Sequence, residues 1–328
     1  MQLIRGLINL QPQGRNCVAT IGNFDGVHIG HRALIKKVVA KAKLLKIDSV
    51  IILFEPHPKE VFMGENCPAR ISNFTEKYIQ LATLGIDKLL VLQFNKSLRE
   101  MPADEFIQNI LIERLRVKHL VVGDDFRFGY KRTGDYSLLK KVGLNHFTVE
   151  PTPTLLVSEE NLSDIAHRCS SSLVRDALAQ NKLEFANKLL SRRYAMTGKV
   201  GHGNKLGSQI KFPTANVALN RKKTALNGVY LVRAKWREKG SYDDSKGSAQ
   251  MHACWGVANC GSRPTVDGKN FRLEVHLLGV SPDLYGIELK VEFYASIRDE
   301  KKFESLDALK GQIQKDINRA KDLIKELS

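Results

Sequence analysis

The sequence predicts an α/β protein of two domains, a parallel-sheet domain followed by an antiparallel β-barrel with a C-terminal helix. The length of 328 residues exceeds one ordinary domain and suits two. Apolar runs alternate with helical patterns in the first half, and short strands interrupted by Gly and Pro fill the second half. The change of character near residues 187–193 assigns residues 1–187 to the first domain and 188–328 to the second.

Strands and helices alternate along the first domain. Short apolar runs rich in β-branched residues predict buried strands at Val18–Ile21, Ser49–Phe54, Lys88–Leu92 and His119–Val122. Helical spacing of apolar residues is found over Leu34–Leu45, Phe74–Leu84 and Ser171–Leu190. This alternation is typical of a parallel sheet with covering helices.

The second domain shows a different pattern. Strands of an antiparallel barrel or sandwich are predicted at Val229–Trp236, Phe271–Leu278 and Leu289–Phe293. The polar stretch Arg237–Gln250 predicts an exposed loop. An amphipathic helix is predicted from Leu306 to Leu327, and we expect it to pack against the barrel through Leu306, Leu309, Ile313, Ile317 and Ile324.

The bulk composition narrows the class of partner. The formal net charge of +16 suits either nucleic acid or polyanionic small substrates such as ATP. Basic residues are spread along the whole chain without interleaved aromatics, which favours the nucleotide over the nucleic acid. No apolar run of about 18 residues predicts a membrane span. Five cysteines without a Cys-x-x-Cys pair indicate a reducing, cytoplasmic compartment, and we expect a monomer or weak homo-oligomer.

The first chemical motif runs from Thr20 to His31, as Thr-Ile-Gly-Asn-Phe-Asp-Gly-Val-His-Ile-Gly-His. It follows a predicted strand and opens a helix, where free backbone N–H groups face an anion. Gly22 and Gly26 allow a tight turn and a close approach to a ligand. His28 and His31, three residues apart, share one helix face and suit a triphosphate. Two ordinary packed histidines are the alternative, and a metal site is a weaker one.

The motif resembles the His-x-Gly-His motif of the nucleotidyltransferase superfamily, and the longer string resembles the FMN adenylyltransferase module of prokaryotic bifunctional riboflavin kinase/FAD synthetases. Three later segments agree in order: Phe54–Pro58, Val122–Gly129 and Ser170–Arg175. Glu55 and Ser172 stand where that family usually has Asp and Thr. The resemblance implies a Rossmann-like nucleotidyltransferase fold for the first domain.

The resemblance also assigns roles in this domain. Phosphate alignment and charge stabilisation are the main needs of adenylyl transfer, and His28, His31 and Arg175 would meet them as catalytic residues. For Arg175, a surface ion pair is the alternative. The two rings Phe126 and Phe128 would line the flavin site together with Asp125, with core packing as their alternative. The implied nucleotide-binding residues are Gly22, Asn23, Phe24, Asp25, Gly26, Ser170 and Ser172.

The second motif is a Gly-rich run, Gly198–Gly207, followed by Phe-Pro-Thr-Ala-Asn at 212–216. Pro-Thr-Ala-Asn resembles the hallmark of the riboflavin kinase fold, a small antiparallel barrel. The resemblance implies that Thr214 and Asn216 hold Mg²⁺, for which a hydroxyl and an amide oxygen are suitable hard ligands. The implied nucleotide-binding residues are Gly203, Lys205, Gly207 and Lys211.

Further segments continue that pattern, at Asn259–Thr265, Leu273–Leu277, Asp283–Gly286 and Ile297–Glu300. The riboflavin hydroxyl needs a base before it attacks ATP, and Glu274 is the matching residue. An outward-facing strand carboxylate is the alternative. The implied flavin-binding residues are Asn259, Arg263 and Arg298. Ser208, Lys211 and Gly279 depart from the family pattern.

The resemblance implies one enzyme with two activities: ATP phosphorylates riboflavin to FMN with release of ADP, and a second ATP adenylylates FMN to FAD with release of pyrophosphate. Mg²⁺ is the implied cofactor. An adenylyltransferase whose kinase half is impaired by Ser208 and Lys211 is the first alternative. A basic RNA-binding or tRNA-charging protein is the second, although no Lys-Met-Ser-Lys-Ser-like loop occurs.

Overall fold

The computed structural model of the protein describes residues 1–10, 16–158, 166–201, 212–237, 251–265 and 268–327, with the backbone alone at 262–265 and 268–270. The chain divides into two compact units. The first consists of Met1–Pro68 and Lys77–Leu173, and the second of Ala69–Glu76 and Val174–Ser328. The short segment Ala69–Glu76 therefore belongs to the unit formed by the second half of the sequence.

The first unit is built on a six-stranded sheet in which every pair of neighbouring strands is parallel. The strand order is β1-β4-β3-β2-β5-β6. Burial of all five residues of β2 shows why this strand lies in the middle. The strands are β1 (Gln2–Arg5), β2 (Cys17–Ile21), β3 (Asp48–Glu55), β4 (Lys88–Gln93), β5 (Val117–Gly123) and β6 (Thr148–Thr152).

Helices connect these strands. The longest of them, α1, begins after the His28 cap and buries Leu34, Ile35, Val38 and Ala42. A π-helix at Phe106–Arg114 buries four apolar residues that join the core of the unit. The helices are α1 (Ile29–Leu45), α2 (Pro58–Met63), α3 (Phe74–Ala82), α4 (Lys96–Glu100), α5 (Ala103–Glu105) and α6 (Tyr136–Gly143). A two-stranded ribbon, β7 (Leu156–Val157) with β8 (His167–Arg168), completes the unit.

The strand order reverses direction at β2. Strand β3 lies on one side of β2 and β5 on the other, so the connections leave β2 and β5 toward opposite edges of the sheet. In open parallel sheets such a switch point creates a crevice beyond the carboxyl ends of the strands. The fold thus places the end of β2, where the first motif begins, in the position where such sheets bind ligands.

The second unit contains a closed barrel of six antiparallel strands in the order β10-β13-β12-β11-β14-β9. Closure removes the free edges that an open antiparallel sheet would expose. The strands are β9 (Ala195–Gly201), β10 (Ala215–Ala218), β11 (Gly228–Arg237), β12 (Met251–Thr265), β13 (Gly268–Leu277) and β14 (Glu288–Arg298). Helices α7 (Ser171–Ala179) and α8 (Leu183–Leu190) precede the barrel, and α9 (Leu306–Leu327) follows it.

The predicted fold class is confirmed: a parallel sheet with helices, then an antiparallel barrel and a C-terminal helix. The helical stretch predicted over Ser171–Leu190 consists of two helices, α7 and α8, separated at Gln180–Lys182. The predicted loop at Arg237–Gln250 falls, after Arg237, outside the described residues. Among the helices that the structure describes, none is long and apolar enough to cross a membrane.

Candidate functional site

A cleft of about 280 Å³ lies at the switch point of the parallel sheet. Its walls come from the carboxyl ends of three strands and from the beginnings of α1 and α7. Four buried polar atoms in this region have no hydrogen-bond partner within the described part of the chain: Thr20 Oγ1, Asn23 Oδ1, His31 Nδ1 and Thr152 Oγ1. Unsatisfied buried polar atoms are rare in folded proteins, so their grouping here indicates a site for a polar ligand.

The two motif histidines form a stacked pair in the cleft. Their ring centroids are 3.6 Å apart with an interplanar angle of 22°. His28 caps α1, since its Nδ1 accepts a hydrogen bond from the His31 backbone N–H at 3.4 Å. Gly30 makes this packing possible, because a Cβ at that position would lie 3.2 Å from Nδ1 of His28. The middle Gly of His-x-Gly-His is therefore explained by the close approach of the first imidazole.

The cysteine at position 169 contributes to the His28 environment. Its Sγ lies 3.5 Å from Nδ1 of His28 and also receives a hydrogen bond from the Gly30 backbone. Burial raises the pKa of the Cys169 thiol, which keeps the S–H proton available as a donor. Because the His31 N–H donates to Nδ1 of His28, that atom carries no proton, and the ring proton lies on Nε2.

His31 is kept uncharged by its surroundings. Burial, the adjacent His28 and the positive charge of Lys77 hold the pKa of His31 well below its usual value. Lys77 itself is 1% exposed. This lysine was not predicted, because a single Lys inside the α3 pattern gives no sequence signal.

The remaining residues of the first motif surround this pair. Gly22 and Phe24 line the cleft, and the Phe24 ring packs edge-on against His31 at 5.1 Å. Gly26 has a φ of 82°, the left-handed conformation that a glycine adopts without strain. Asp25 is 3% exposed, and its carbonyl accepts a hydrogen bond from Ser171 Oγ at 2.9 Å.

The serine motif divides between two places. Ser170 lines the cleft, and its Oγ accepts a hydrogen bond from the Leu173 N–H at the start of α7. Ser171, which was not predicted, lines the cleft as well, whereas the predicted Ser172 is exposed. Arg175 belongs to the second unit, where its Nε donates to the Ala69 carbonyl at 2.6 Å.

The predicted flavin residues of the first domain differ in position. Asp125 and Phe126 line the cleft, and Asp125 forms a 2.7 Å ion pair with Arg168. Phe128 is 7% exposed and belongs to the core, where it stacks on Phe126 with centroids 5.4 Å apart. Phe128 thus supports the ring of Phe126 from behind.

A second cavity, of about 350 Å³, lies in the barrel unit. A row of residues runs across neighbouring strands in register: Asn216 faces Glu274, Glu274 faces Asn259, Asn259 faces Val229, and Val229 faces Arg298. Glu274, Asn259 and Arg298 all line the cavity. Three predicted residues from three different strands are therefore brought to one site by strand register alone.

Thr214 lines this cavity and also a neighbouring one of about 230 Å³. The neighbouring cavity contains Pro213 and, from the predicted Asp-Leu-Tyr-Gly segment, Leu284 and Tyr285. The Pro213 carbonyl lies 2.9 Å from Nδ1 of His276, the histidine two residues after Glu274. The Pro-Thr-Ala-Asn segment thus stands between two hollows, one of which contains the predicted base.

The C-terminal helix forms a wall of the larger cavity. Four of the five predicted apolar positions of α9 line it, namely Leu306, Leu309, Ile313 and Ile317. The fifth, Ile324, packs with Leu231 and Leu323 against the barrel, as predicted. Asp316 and Phe303 also line the cavity and were not predicted. A stripe of apolar residues at helical spacing does not distinguish a wall of a ligand cavity from a core contact.

Several predicted residues have no described side chain. Gly203, Lys205, Gly207 and Lys211 lie outside the described residues, as does Ser208. The backbone of Arg263 pairs with Asn270, and its side chain is not described. Over the described ranges, no group of three or more His, Cys, Asp or Glu residues could hold a metal ion.

Comparison with known proteins gives a family for each half of the chain. A family model for FAD synthetase matches residues 10–166, and one for riboflavin kinase matches residues 190–324. A bifunctional riboflavin kinase/FMN adenylyltransferase from Pseudomonas fluorescens is 45% identical and covers 98% of each chain. The proteins of that name from Haemophilus influenzae and Escherichia coli K12 are 41% and 43% identical, covering 98% and 96% of each chain.

A solved structure, titled as a macrolide-efflux protein from Streptococcus pneumoniae, superposes with a TM-score of 0.77 at 26% identity. It covers 98% of this chain and 99% of its own. Both halves of the chain thus match in order, along its whole length. The chain belongs to the family of bifunctional riboflavin kinase/FMN adenylyltransferases.

Proposed function

We propose that this chain carries out both reactions named for its relatives: it phosphorylates riboflavin to FMN and then adenylylates FMN to FAD. The observation that carries the proposal is that each unit contains its own cavity, lined by the residues of its own motif. Riboflavin, FMN and ATP are the substrates, and FAD is the product. We propose that the adenylyltransferase domain ends at residue 187 and that the kinase domain begins at residue 188, as predicted from the sequence.

The kinase reaction takes place in the barrel cavity. Glu274 accepts the proton of the riboflavin 5′-hydroxyl as its oxygen attacks the γ-phosphorus of ATP, and ADP leaves. Asn259 and Arg298 line the same cavity and bind the flavin. The apolar residues of α9 that line this cavity cover the apolar ring system of the flavin. ATP occupies the adjoining cavity, so that its phosphates reach Thr214, the residue common to both.

Thr214 and Asn216 would hold Mg²⁺. The donor set fits, because a hydroxyl and an amide oxygen are hard ligands and Asn216 lies next to Glu274 in the barrel register. When bound, the ion neutralises phosphate charge and orients the transferred group. Two protein ligands are sufficient for an ion that keeps waters and nucleotide oxygens in its shell.

The adenylyltransferase reaction takes place in the cleft of the parallel sheet. A phosphate oxygen of FMN attacks the α-phosphorus of ATP, and pyrophosphate leaves with the bonding electrons. The attacking oxygen is already ionised, so the site must align two anions rather than remove a proton. His28 donates from Nε2 to a phosphate oxygen, and the positive ends of the α1 and α7 dipoles add to the anion site. Arg175 remains a proposed catalytic residue on the strength of its motif.

The proposed function also implies a cell compartment and a class of partner. We place the enzyme in the cytoplasm as a monomer or weak homo-oligomer with small-molecule substrates. The positive charge of +16 then attracts ATP and FMN rather than nucleic acid.

The test is separation of the products by chromatography after incubation of the purified chain with riboflavin, ATP and Mg²⁺. We expect FMN and then FAD. FAD formation from supplied FMN, without FMN formation from riboflavin, would instead indicate the impaired kinase. His28→Asn is expected to stop FAD formation and leave FMN formation intact. A chain that forms neither product, and binds RNA in a salt-sensitive manner, would contradict the proposal.

A further inference from the structure

A partly buried ion pair connects the C-terminal helix with the wall of the barrel cavity. Arg298 is the last residue of β14, and Asp316 lies in the middle of α9. Arg298 Nε donates to both carboxylate oxygens of Asp316, at 2.9 and 3.0 Å, and Nη2 donates to Oδ2 at 2.9 Å. The exposed fractions of the two side chains are 20% and 5%. These contacts fix the plane of the guanidinium as well as its position.

Both partners are held by further contacts. Gln312, one turn earlier in α9, donates to Asp316 Oδ1 at 2.8 Å. Nη1 of Arg298 donates to the Asp299 carbonyl at 2.9 Å, and its Cζ lies 5.6 Å from the ring centroid of Phe303. Of the five N–H groups of the guanidinium, three are used by these described contacts. One N–H on Nη1 and one on Nη2 are left for a ligand in the cavity.

The helix that supplies Asp316 is anchored beyond this point. Ala320 and Leu323, within two turns of Asp316, are buried in a cluster with Leu231 of the barrel. Leu306 at the other end of α9 is 57% exposed. The anchored half of the helix therefore carries the carboxylate, so that its position is set by packing and not by the free end.

We propose that Asp316 is a positioning residue for riboflavin in the kinase reaction. It holds the Arg298 guanidinium so that the remaining N–H groups face the cavity, where they donate to oxygens of an uncharged flavin. This inference rests on the proposed kinase function and assigns part of that site to the C-terminal helix. Asp316 does not touch the substrate, because its two oxygens are occupied by Arg298 and Gln312.

The charge of the Arg298 guanidinium is balanced by its pairing with Asp316. An unpaired guanidinium at 20% exposure attracts water and anions, and its long side chain samples several rotamers. Pairing with Asp316 removes most of that charge and fixes the donors before the ligand arrives. Riboflavin has no charge at neutral pH. Fixed hydrogen-bond donors therefore strengthen its binding, whereas a positive electrostatic potential does not. Preorganised donors raise affinity by lowering the cost of ordering the site.

The test compares Asp316→Asn with the wild type in the kinase assay. We expect KM for riboflavin to rise about 10-fold or more, because loss of one partner frees the buried charge of the other. The kcat and KM for ATP should stay close to the wild-type values. FAD formation from supplied FMN, measured on the same preparation, should not change. Binding of riboflavin, followed by quenching of its fluorescence, should weaken by the same factor as KM rises.

Matched variants separate positioning from general stability. Glu326→Gln breaks the exposed 3.0 Å pair of Glu326 with Arg319 on the same helix and should leave KM for riboflavin unchanged. Asp316→Glu should recover part of the lost affinity. In a double-mutant cycle, Arg298→Ala and Asp316→Ala should have strongly non-additive effects on KM. Arg298→Lys keeps the positive charge but cannot form the bidentate contact with Asp316, so it should raise KM for riboflavin. This variant provides the test if Asp316→Asn fails to fold.

A folded Asp316→Asn variant with wild-type affinity for riboflavin would overturn the inference, and so would an Arg298→Lys variant with wild-type KM. A lowered unfolding temperature with unchanged riboflavin binding would show that the pair merely fastens the helix, and would also overturn it. Failure of the proposed function looks different, since the wild type itself would then form no FMN.

Discussion

Asn216 lies directly opposite Glu274 on the adjacent antiparallel strands β10 and β13, and Glu274 in turn lies opposite Asn259 on β12. This register explains how residues far apart in sequence assemble into one site. Paired residues on neighbouring strands have Cβ atoms about 5 Å apart on the same face of the sheet. The proposed Mg²⁺ ligand and the proposed base are therefore neighbours by construction of the barrel.

The first prediction concerns this carboxylate. Glu274→Gln keeps the size and hydrogen-bonding shape of the side chain and removes its ability to accept the hydroxyl proton. We expect the rate of FMN formation from riboflavin to fall by about 10²- to 10⁴-fold, the usual contribution of a general base. FAD formation from FMN should be unchanged. Both rates are measured by chromatography of the flavins formed with ATP.

Glu288→Gln is the matched control, since Glu288 is an exposed carboxylate at the start of strand β14 of the same barrel. It should leave both rates unchanged. Undiminished FMN formation by Glu274→Gln would remove Glu274 from the role of base.

The second prediction concerns Gly30. In Gly30→Ala, the new Cβ would approach Nδ1 and Cε1 of His28 at 3.2 and 3.3 Å. The ring must then shift by a few tenths of an ångström, away from its stacked position on His31. We expect kcat/KM for FAD formation to fall about 10-fold, because a misplacement of about 1 Å can reduce a rate about 100-fold and this shift is smaller. The kinase rate should not change.

Gly311→Ala is the control for a glycine-to-alanine change in a helix. Nothing lies within 4 Å of the position that its Cβ would occupy. We expect this variant to be more stable by about 0.5–1 kcal/mol, since alanine is the better helix former, with both activities intact. Equal loss of FAD formation in both variants would contradict the role of Gly30 in seating His28.

Much of the fold could be predicted from the sequence, because the signals were local. The buried strand predicted at Val18–Ile21 and the amphipathic helix predicted at Leu306–Leu327 appear directly in the spacing of apolar residues, and the structure has them at Cys17–Ile21 and Leu306–Leu327. The predicted site residues His28, Glu274 and Thr214 likewise come from contiguous strings, and all three line cavities. Each of these elements and residues was predicted from residues that are close to one another in the sequence.

The parts that were not predicted depend on contacts between distant residues. The pairing of Arg298 with Asp316 spans 18 residues and two element types, and no pattern links them. The exposure of Ser172 beside a cleft-lining Ser171 depends on where α7 begins, and helix ends are the least predictable part of a helix. Lys77 lacked a motif altogether. For Arg175 and the domain boundary, the predictions from the sequence stay predictions.

The third prediction concerns pH and His31. The pKa of His31 is held well below that of an unfolded histidine, mainly by burial. At pH above about 6.5, neither state binds the proton and His31 has no effect on the pH dependence of stability. As the pH falls below this value, the unfolded state binds a proton that the native state refuses. Protonation of the unfolded state thus favours unfolding, and the free energy of unfolding decreases as the pH decreases.

We expect the free energy of unfolding of the wild type, measured with urea and far-UV circular dichroism, to decrease between pH 7 and pH 5. In His31→Asn, this decrease should be smaller. His146→Asn, at an exposed position of the same unit, is the control for the replacement of a histidine by asparagine. The same slope for His31→Asn and the wild type would show that His31 titrates alike in both states.

The last prediction concerns the segment Ala69–Glu76 within the barrel unit. Arg221 Nη2 donates to both oxygens of Glu76, at 2.6 and 2.7 Å, and the exposed fractions of these side chains are 0% and 11%. Glu76 also accepts the backbone N–H groups of Thr197 and Asn73, at 2.6 and 2.8 Å. Removing one charge of such a buried pair leaves the other without compensation, which typically costs about 3–5 kcal/mol.

Glu76→Gln should therefore lower the free energy of unfolding of the barrel unit by about 3 kcal/mol or more. Both tryptophans of the chain, Trp236 and Trp255, lie in this unit, so tryptophan fluorescence follows its unfolding alone. Asp322→Asn breaks an exposed pair with Lys325 and should change stability by less than about 0.5 kcal/mol. A comparable small effect of Glu76→Gln would mean that backbone contacts, and not the ion pair, hold this segment in the barrel unit.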